Sequence, residues 1–352
     1  MACLARSTAA FLSAGRPPQA AKVFRAAAGC ASSNGGPPLY RGMSTSSAPV
    51  NKDIFNNGDV SNNVPPGIIE RVDRKLLLQA GHPLCTLKTI IAEHFKATYP
   101  TAPFQLHDTL NPIVSVHDNF DVLQTPADHV SRSPSDTFYL SDSQLLRCHT
   151  SAHQVSLLSS GETRFLVAGD VYRRDTVDAT HYPVFHQMEG VRVFSADEGI
   201  VDYSAPREQQ VAAVQDDLKT ALEGLVRTVF GDVRMRWVEA YFPFTDPSME
   251  LEIWWNDEWL EVLGCGVIHK KVLSAAGMPE SEGWAFGLGL ERLAMVLFGI
   301  PDIRLFWSQD KRFHSQFKAG KITNFKSYSK FPPCTKDIAF WLPESGFHEN
   351  DL

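Results

Sequence analysis

Several common signatures are missing from this 352-residue chain, and each absence excludes a class of protein or site. Its six cysteines are scattered and form no CxxC pair, so a structural zinc site is not predicted and a reduced compartment is favoured. No stretch is apolar over the roughly 18 residues that a membrane span requires, and no membrane partner is expected. There is also no GxGxxG or GxxxxGK(S/T) phosphate loop, which argues against a Rossmann fold and against a P-loop nucleotide site.

Acidic residues are absent from the first 52 positions, which carry six Lys and Arg. An acid-free leader rich in Arg, Ser and Ala is typical of an organellar transit peptide, so residues 1–50 are predicted to be an organellar targeting segment and its linker. The basic leader conceals an acidic body, because only 27 Lys and Arg remain to balance all 40 Asp and Glu. Any contact with nucleic acid must therefore come from local basic patches.

Beyond the leader, the pattern of apolar residues predicts an α+β fold around an antiparallel sheet flanked by helices. One helical face begins at Pro83, and a second helix is predicted from about Arg207 to Val229. Two strand-like runs, RFLVAGDVYRRD and YPVFHQMEGVRVF, flank the polar sequence TVDATH and predict an antiparallel hairpin. Further strands are predicted in MRWVEAYFPF, ELEIWW and EWLEVLGCG, and a helix in GLERLAMVLFG closes the body.

The hairpin segment VYRRDTVDATHYPVFHQMEG carries an unusual density of polar side chains. One interpretation is a solvated surface hairpin, and a second is a metal site at His181, His186 and Glu189. The metal site is disfavoured because Pro183 interrupts any helix and because residues five apart fall on opposite faces of a strand. The sequence also contains no HExxH motif.

A third interpretation is a nucleotide pocket. The guanidinium of Arg173 would bind an α-phosphate, while Gln187 and Glu189 on the returning strand offer acceptors for an ammonium group. Glycines in GWAFGLGLER allow close backbone approach before a helix whose first turns contain Arg292. GLGLER resembles motif 3 of class II aminoacyl-tRNA synthetases, and the hairpin resembles motif 2 of the same class.

Within that class the chain resembles the phenylalanyl-tRNA synthetases over about residues 70–345. The segments that carry the resemblance occur in the family's order: LLRCHTSAHQ, the hairpin, YFPFTDPS, WLEVLGCG and GWAFGLGLERLAM. With its transit-like leader, the chain is similar to the mitochondrial monomeric form. The resemblance implies a monomer in the mitochondrial matrix that activates phenylalanine with ATP and Mg²⁺ and charges mitochondrial phenylalanine tRNA. The alternative is a catalytically impaired, synthetase-like tRNA-binding protein, which has no physical need for Arg173, Glu189 and Arg292.

The resemblance also implies a role for each matching residue. Arg173 would hold the α-phosphate, and Arg292 would hold the γ-phosphate or stack on the adenine. The remaining ATP contacts would be Thr180, His181, Phe185, His186 and Gly287, with a structural hydrogen-bonding role as an equal alternative for His186. The residues that would hold phenylalanine are His149, Thr150, Ser151, His153, Gln187, Glu189, Phe242, Phe244, Glu261, Ala285 and Phe286. Asp246 and Glu261 would contact Mg²⁺ or ribose, although the family usually has glutamate where Asp246 stands.

The implied domain order places an N-terminal extension at 51–82, the catalytic domain at 83–315, and a linker with the start of a ferredoxin-like anticodon-binding domain at 316–352. Only about one strand of that last domain is present in KSYSKFPPCTKDIAFWLP. We therefore expect adenylate formation to survive in this chain and tRNA charging to be weak.

Overall fold

The computed structural model describes residues 49–328 and Trp341. Residues 1–48 of the predicted targeting segment, and residues 329–352 apart from Trp341 of the predicted linker and anticodon-binding segment, lie outside the described residues. The predicted α+β class is confirmed, because the body is a seven-stranded, mainly antiparallel sheet flanked by helices. None of the helices within 49–328 has the length and apolar character that a membrane crossing demands.

The strands include the predicted hairpin and the three later predicted strands. In chain order they are β1 Gln105–His107, β2 Ile113–Ser115, β3 Tyr139–Ser141, β4 Gln144–Leu146, β5 Arg164–Tyr172, β6 Val184–Val193, β7 Met235–Phe242, β8 Thr245–Trp255, β9 Glu258–Ile268 and β10 Gly283–Gly289. The large sheet has the order β1-β5-β6-β10-β9-β8-β7, and only the pair β1 and β5 is parallel. A small sheet has the order β2-β4-β3.

The helices supply the apolar layer of the main core. In chain order they are α1 Pro66–Arg71, α2 Pro83–Thr98, α3 Gln154–Ser159, α4 Arg207–Phe230, α5 Lys270–Ala275, α6 Leu290–Phe298 and α7 Lys311–His314. Helix α2 begins at the predicted residue, where the ring of His82 accepts a hydrogen bond from the Leu84 N–H and caps the helix. Helix α4 ends at Phe230, and Gly231 follows with a positive φ of 79° that favours glycine.

Alternation along β6 separates the sheet into two faces. Met188 points into the core formed with α2, α4 and α6, which we call the helix face. Val191 and Val193 point the other way, into a smaller core that includes residues of α3 and α5. The same alternation puts Phe185, Gln187 and Glu189 on this second face, which we call the site face.

Candidate active site

Glu189 lies near the centre of the site face and is almost completely buried. Its carboxylate accepts hydrogen bonds from the hydroxyls of Ser151, at 2.6 Å, and Thr150, at 3.2 Å. Burial raises the pKa of this carboxyl to about 7, because desolvation outweighs the two hydrogen bonds that favour the charged form. Among the described residues, no cationic side chain lies within hydrogen-bond reach of this buried carboxylate, which is therefore suited to binding a cation.

The two hydroxyls come from a 3₁₀ turn at Thr150–His153 that lies over the sheet. His149 precedes this turn, and burial together with the nearby charge of Arg173 lowers the pKa of its ring to about 3. The buried Nδ1 atom of His149 has no hydrogen-bond partner within the described chain. The turn therefore presents a neutral imidazole with an unsatisfied nitrogen next to the carboxylate site.

An aromatic wall stands beside this polar cluster. The rings of Phe242 and Phe244 are stacked with centroids 6.0 Å apart, and Phe244 lies 6.2 Å from the ring of His149. Gly264 on β9 makes room for the wall, since an added Cβ would lie 2.6 Å from Cζ of Phe242. Buried Ala285 on β10 belongs to the site-face core. An apolar slot with aromatic sides thus lies next to the polar cluster that contains the buried carboxylate.

Arg173 leaves the end of β5 on the same side. Its Nε donates to the backbone carbonyl of Cys148 at 2.9 Å, and its guanidinium lies 5.2 Å from the centroid of the Phe185 ring. Burial lowers the pKa of Arg173 from its usual high value, but the group stays cationic near neutral pH. One edge of the guanidinium is fixed by protein, which leaves its terminal nitrogens to bind an anion.

A second guanidinium lies on helix α6, where Arg292 approaches Glu261 on β9 at 3.5 Å. Burial and the neighbouring carboxylates of Glu261 and Glu252 raise the pKa of Glu250, while Arg292 lowers it. At Gly287 on β10 an added Cβ would meet no atom within 4 Å, so the sheet surface is open there. The arginine, the carboxylates and the open backbone form a surface that is able to accommodate a nucleotide and a cation.

The loop between β5 and β6 contains Thr180, which is exposed, and His181, which is half-buried. Asp178 organises it by accepting from the backbone N–H of Thr180, at 2.6 Å, and of His181, at 2.7 Å. The Asp178 carboxylate also lies 2.8 Å from Nδ1 of His181. These contacts lower the pKa of Asp178 below its usual value. The carboxylate of Asp178 therefore orders the loop, and sequence analysis did not select this residue. A signal was available, because Asp side chains in turns commonly accept a hydrogen bond from the backbone N–H two residues later.

Two residues expected to contact substrates lie on the helix face instead. His186 is buried there, and Glu291 binds both its backbone N–H and its ring. Phe286 is also buried there, with its ring stacked on Phe95 at 5.4 Å. For His186 this position favours the structural hydrogen-bonding role that is its equal alternative. For Phe286 it replaces the expected substrate contact, because adjacent residues on a strand point to opposite faces.

His153 also has a structural partner. Its Nε2 lies 2.8 Å from Nη1 of buried Arg147 and accepts from that guanidinium. Arg147 in turn donates to the carboxylate of Asp170 at 2.7 Å, and a Cβ at Gly169 would lie 2.1 Å from its Nη2. His153 thus fixes the back of the 3₁₀ turn, and its expected direct contact with substrate is replaced by a contact with Arg147. Sequence analysis missed Arg147, whose pairing with Asp170 depends on strand packing.

The strand register also separates the two proposed magnesium ligands. Glu261 lies opposite Glu252 on β8, whereas Asp246 is near the other end of that strand. Six residues of extended chain span roughly 20 Å, so the two carboxylates cannot share one ion. Within the described part of the chain, no group of three or more His, Cys, Asp and Glu side chains is arranged to hold a metal.

A mainly antiparallel sheet that carries one arginine from a hairpin and a second from the helix after a glycine-rich strand defines a class II aminoacyl-tRNA synthetase core. Comparison with known families agrees, since the model for the class II core domain (F) of tRNA synthetases matches residues 79–317. Phenylalanine–tRNA ligase of Arabidopsis thaliana, named chloroplastic/mitochondrial, is 52% identical over 85% of this chain and 69% of its own length.

The mitochondrial phenylalanine–tRNA ligases of Dictyostelium discoideum and Mus musculus are also similar. They are 47% and 48% identical over 85% and 84% of this chain, and over 75% and 71% of their own lengths. The chain therefore belongs to the phenylalanine–tRNA ligase family. No comparison supports the alternative of a catalytically impaired relative.

Proposed function

We propose that this chain forms phenylalanyl-adenylate from phenylalanine and ATP and then transfers the phenylalanyl group to the 3′ end of mitochondrial phenylalanine tRNA. The observation that carries the proposal is the buried Glu189 beside the stacked pair Phe242 and Phe244. An ammonium group and an aromatic ring are the two ends of phenylalanine that such a site distinguishes. Residues 83–315 would form the catalytic unit of a monomer in the mitochondrial matrix.

Binding would begin with the ammonium group of phenylalanine, whose positive charge would pair with the buried carboxylate of Glu189. Ser151 and Thr150 hold the Glu189 carboxylate in place, and Gln187, two residues away on the same face, is positioned to contact the same group. The substrate ring would lie against Phe242 and Phe244 in offset or edge-on contact. His149 would contribute its unsatisfied Nδ1 to a polar group of the bound amino acid.

Activation requires positioning and charge stabilisation rather than a general base. A carboxylate oxygen of phenylalanine attacks the α-phosphorus of ATP, and the bond from that phosphorus to the bridging oxygen breaks to release pyrophosphate. Arg173, with its Nε fixed by Cys148, is placed to stabilise the charge that develops on the α-phosphate. Arg292 would bind the γ-phosphate or the adenine, and Thr180 and His181 would approach the triphosphate from the loop.

Transfer follows when a ribose hydroxyl at the tRNA 3′ end attacks the carbonyl carbon of the adenylate. AMP leaves with the bond electrons, and the hydroxyl proton is released to its phosphate or to solvent. Oxygen donors such as Glu250 and Glu261 fit Mg²⁺, which binds one or two carboxylates together with substrate phosphates. When bound, the ion would neutralise phosphate charge.

The test is exchange of labelled pyrophosphate into ATP, with and without phenylalanine. We expect exchange that depends on phenylalanine and that is lost in Arg173→Ala, whereas the matched substitution Arg236→Ala on the outer strand β7 leaves it intact. Exchange that is independent of phenylalanine, or equal in the two variants, would contradict the proposal. Charging of mitochondrial phenylalanine tRNA tests the transfer step. Light scattering tests whether the protein is a monomer, and fractionation of mitochondria tests the matrix location.

A further inference from the structure

One buried carboxylate joins the two elements that face the nucleotide. Glu291, in the first turn of α6, is 2% exposed, and His186 on β6 is 3% exposed. Oε2 of Glu291 accepts from the backbone N–H of His186 at 2.7 Å, and Oε1 lies 2.6 Å from Nδ1 of the same residue. A single side chain therefore binds both the main chain and the ring of its partner, 105 residues away in sequence.

The strand register explains why a carboxylate is needed at this point. Strand β10 pairs with β6 only as far as Gly289, which lies opposite Gln187, and the chain then turns into α6. The N–H of His186 lies just beyond the last pair of this ladder. Without another acceptor, this buried N–H would have no hydrogen-bond partner. Glu291 supplies the missing acceptor, so the ladder continues through a side chain.

This contact fixes the spacing of residues that we assign to ATP. Since strand side chains alternate, holding His186 on the helix face holds its neighbour Phe185 on the site face. Successive helix residues are rotated by about 100°, so the inward position of Glu291 places Arg292 outward toward Glu261. Phe185 and Arg292 are both among the residues expected to contact ATP.

A third segment is attached to the same pair. The ring of Trp307 stacks on His186 with a centroid distance of 5.6 Å and an interplanar angle of 24°. Four residues earlier, the N–H of Ile303 donates to the carbonyl of Ala179, in the loop between β5 and β6, at 2.8 Å. Strand β6, helix α6 and this loop are therefore connected around His186 and Glu291.

We propose that Glu291 is a positioning residue that sets the distance between the hairpin and the helix of the nucleotide site, with His186 as its partner. The inference rests on the proposed function, because it concerns the same ATP site. Glu291 does not contact substrate in this arrangement. Its contribution is to fix the positions of Phe185 and Arg292 relative to each other.

The test uses Glu291→Ala and Glu291→Gln, with ATP affinity measured by calorimetry and the KM and kcat of pyrophosphate exchange measured separately. A displacement of about 1 Å in a positioned group can lower a rate by about a hundredfold, so we expect a loss of that order in kcat/KM for ATP in Glu291→Ala. Glu291→Gln keeps an acceptor for the His186 N–H and an amide group that can bond the ring, and it should restore ATP affinity and kinetics close to wild type. The KM for phenylalanine should change little in either variant.

The matched control is Glu198→Ala, which removes another carboxylate that binds a backbone N–H and a β6 side chain, those of Ser195 and Arg192. It should lower the melting temperature without changing ATP affinity. The proposal is overturned if Glu291→Ala and Glu198→Ala have the same ATP kinetics, or if Glu291→Gln is as impaired as Glu291→Ala.

If Glu291→Ala does not fold, Glu291→Asp decides the question, since its shorter side chain should weaken ATP binding while the protein stays folded. Wild-type ATP affinity in folded Glu291→Asp would then count against the proposal. Calorimetry needs no phenylalanine. If the wild-type protein binds ATP but shows no phenylalanine-dependent exchange, the proposed function is refuted. The ATP affinities of wild type and the Glu291 variants would still decide the role of Glu291.

Discussion

Replacing Glu189 by Gln should make the unliganded protein progressively more stable relative to wild type as the pH rises from 5 to 8, while it impairs phenylalanine binding. The carboxyl is 3% exposed, and its pKa rises from 4.5 to about 7 on folding. Ionising it in the folded state is therefore unfavourable relative to the unfolded chain. Glutamine has nearly the same shape, and its carbonyl can still accept from Ser151 and Thr150.

The sign and size follow from proton linkage. Between pH 4.5 and 7 the folded protein holds the Glu189 proton more tightly than the unfolded chain, so the contribution of this group to stability falls as pH rises. The destabilisation is absent below about pH 4.5 and complete above about pH 7. One pKa unit corresponds to about 1.4 kcal/mol, so the shift amounts to about 3 kcal/mol.

The assay is urea unfolding of wild type and Glu189→Gln at a series of pH values from 5 to 8. The difference in unfolding free energy should increase in favour of the variant by about 2.5 kcal/mol across this range, because all other titrating groups are shared. An amide that lacks acceptors for its N–H groups adds an offset of about 1 to 3 kcal/mol against the variant, but that offset does not vary with pH. The shape of the curve is therefore the diagnostic feature.

Glu198→Gln is the control. Hydrogen bonds from Ser195, Arg192 and Arg164 lower the pKa of Glu198 to about 2, with opposition from desolvation. Its stabilising contribution is present above pH 4.5 and is lost only as pH falls toward 2, so its difference curve should be flat from pH 5 to 8. A flat curve for Glu189→Gln, or one that favours the variant toward acid, would refute the reasoning about Glu189.

Three further substitutions test the packing of the site. Gly264→Ala places a Cβ 2.6 Å from Phe242 and should displace that ring, raising the KM for phenylalanine about tenfold with little loss of stability; an unchanged KM would contradict the assigned aromatic wall. Gly190→Ala places a Cβ 2.2 Å from the buried ring of Phe286 and should lower the unfolding free energy by about 3 kcal/mol in urea titrations, whereas a near-neutral result would mean that the ring can move. Ala285→Gly should deepen the slot and raise the ratio of tyrosine to phenylalanine activation above that of wild type, because an apolar pocket rejects an added hydroxyl only about a hundredfold. An unchanged ratio would exclude Ala285 as the floor of the slot.

The fold class and the polar centre of the site could be predicted because their signals are local. The hairpin of β5 and β6, with Arg173 on one strand and Glu189 on the other, follows from the sequence between residues 164 and 193. The substrate contact expected of Phe286, and the ATP contact that is one of two alternatives for His186, both come from treating matching motif segments as continuous surfaces. Alternation along β6 and β10 assigns these residues to the helix face, since Gln187 and Ala285 point to the opposite side.

Other contacts could not be predicted because each depends on residues far apart in the chain. Arg147 meets Asp170 across 23 positions, and Glu291 meets His186 across 105. In the sequence, Glu291 is simply the residue before the arginine of the motif. Only the end of the β10 ladder at Gly289 reveals that a backbone N–H requires it.

The raised pKa of Glu189 also determines how ligand binding and stability are connected. An ammonium group bound within hydrogen-bond distance would favour the ionised carboxylate, so phenylalanine binding should release a proton when the free site is protonated, below about pH 7. Phenylalanine affinity of the wild type should therefore decrease as pH falls from 8 to 6. The weaker affinity of Glu189→Gln should not change over this range, because that variant lacks the titrating carboxyl. Calorimetry in two buffers of different ionisation enthalpy measures the released proton directly. Binding without proton release at pH 6 would show that Glu189 is already ionised in the free protein, and the instability attributed to its burial would then have no basis.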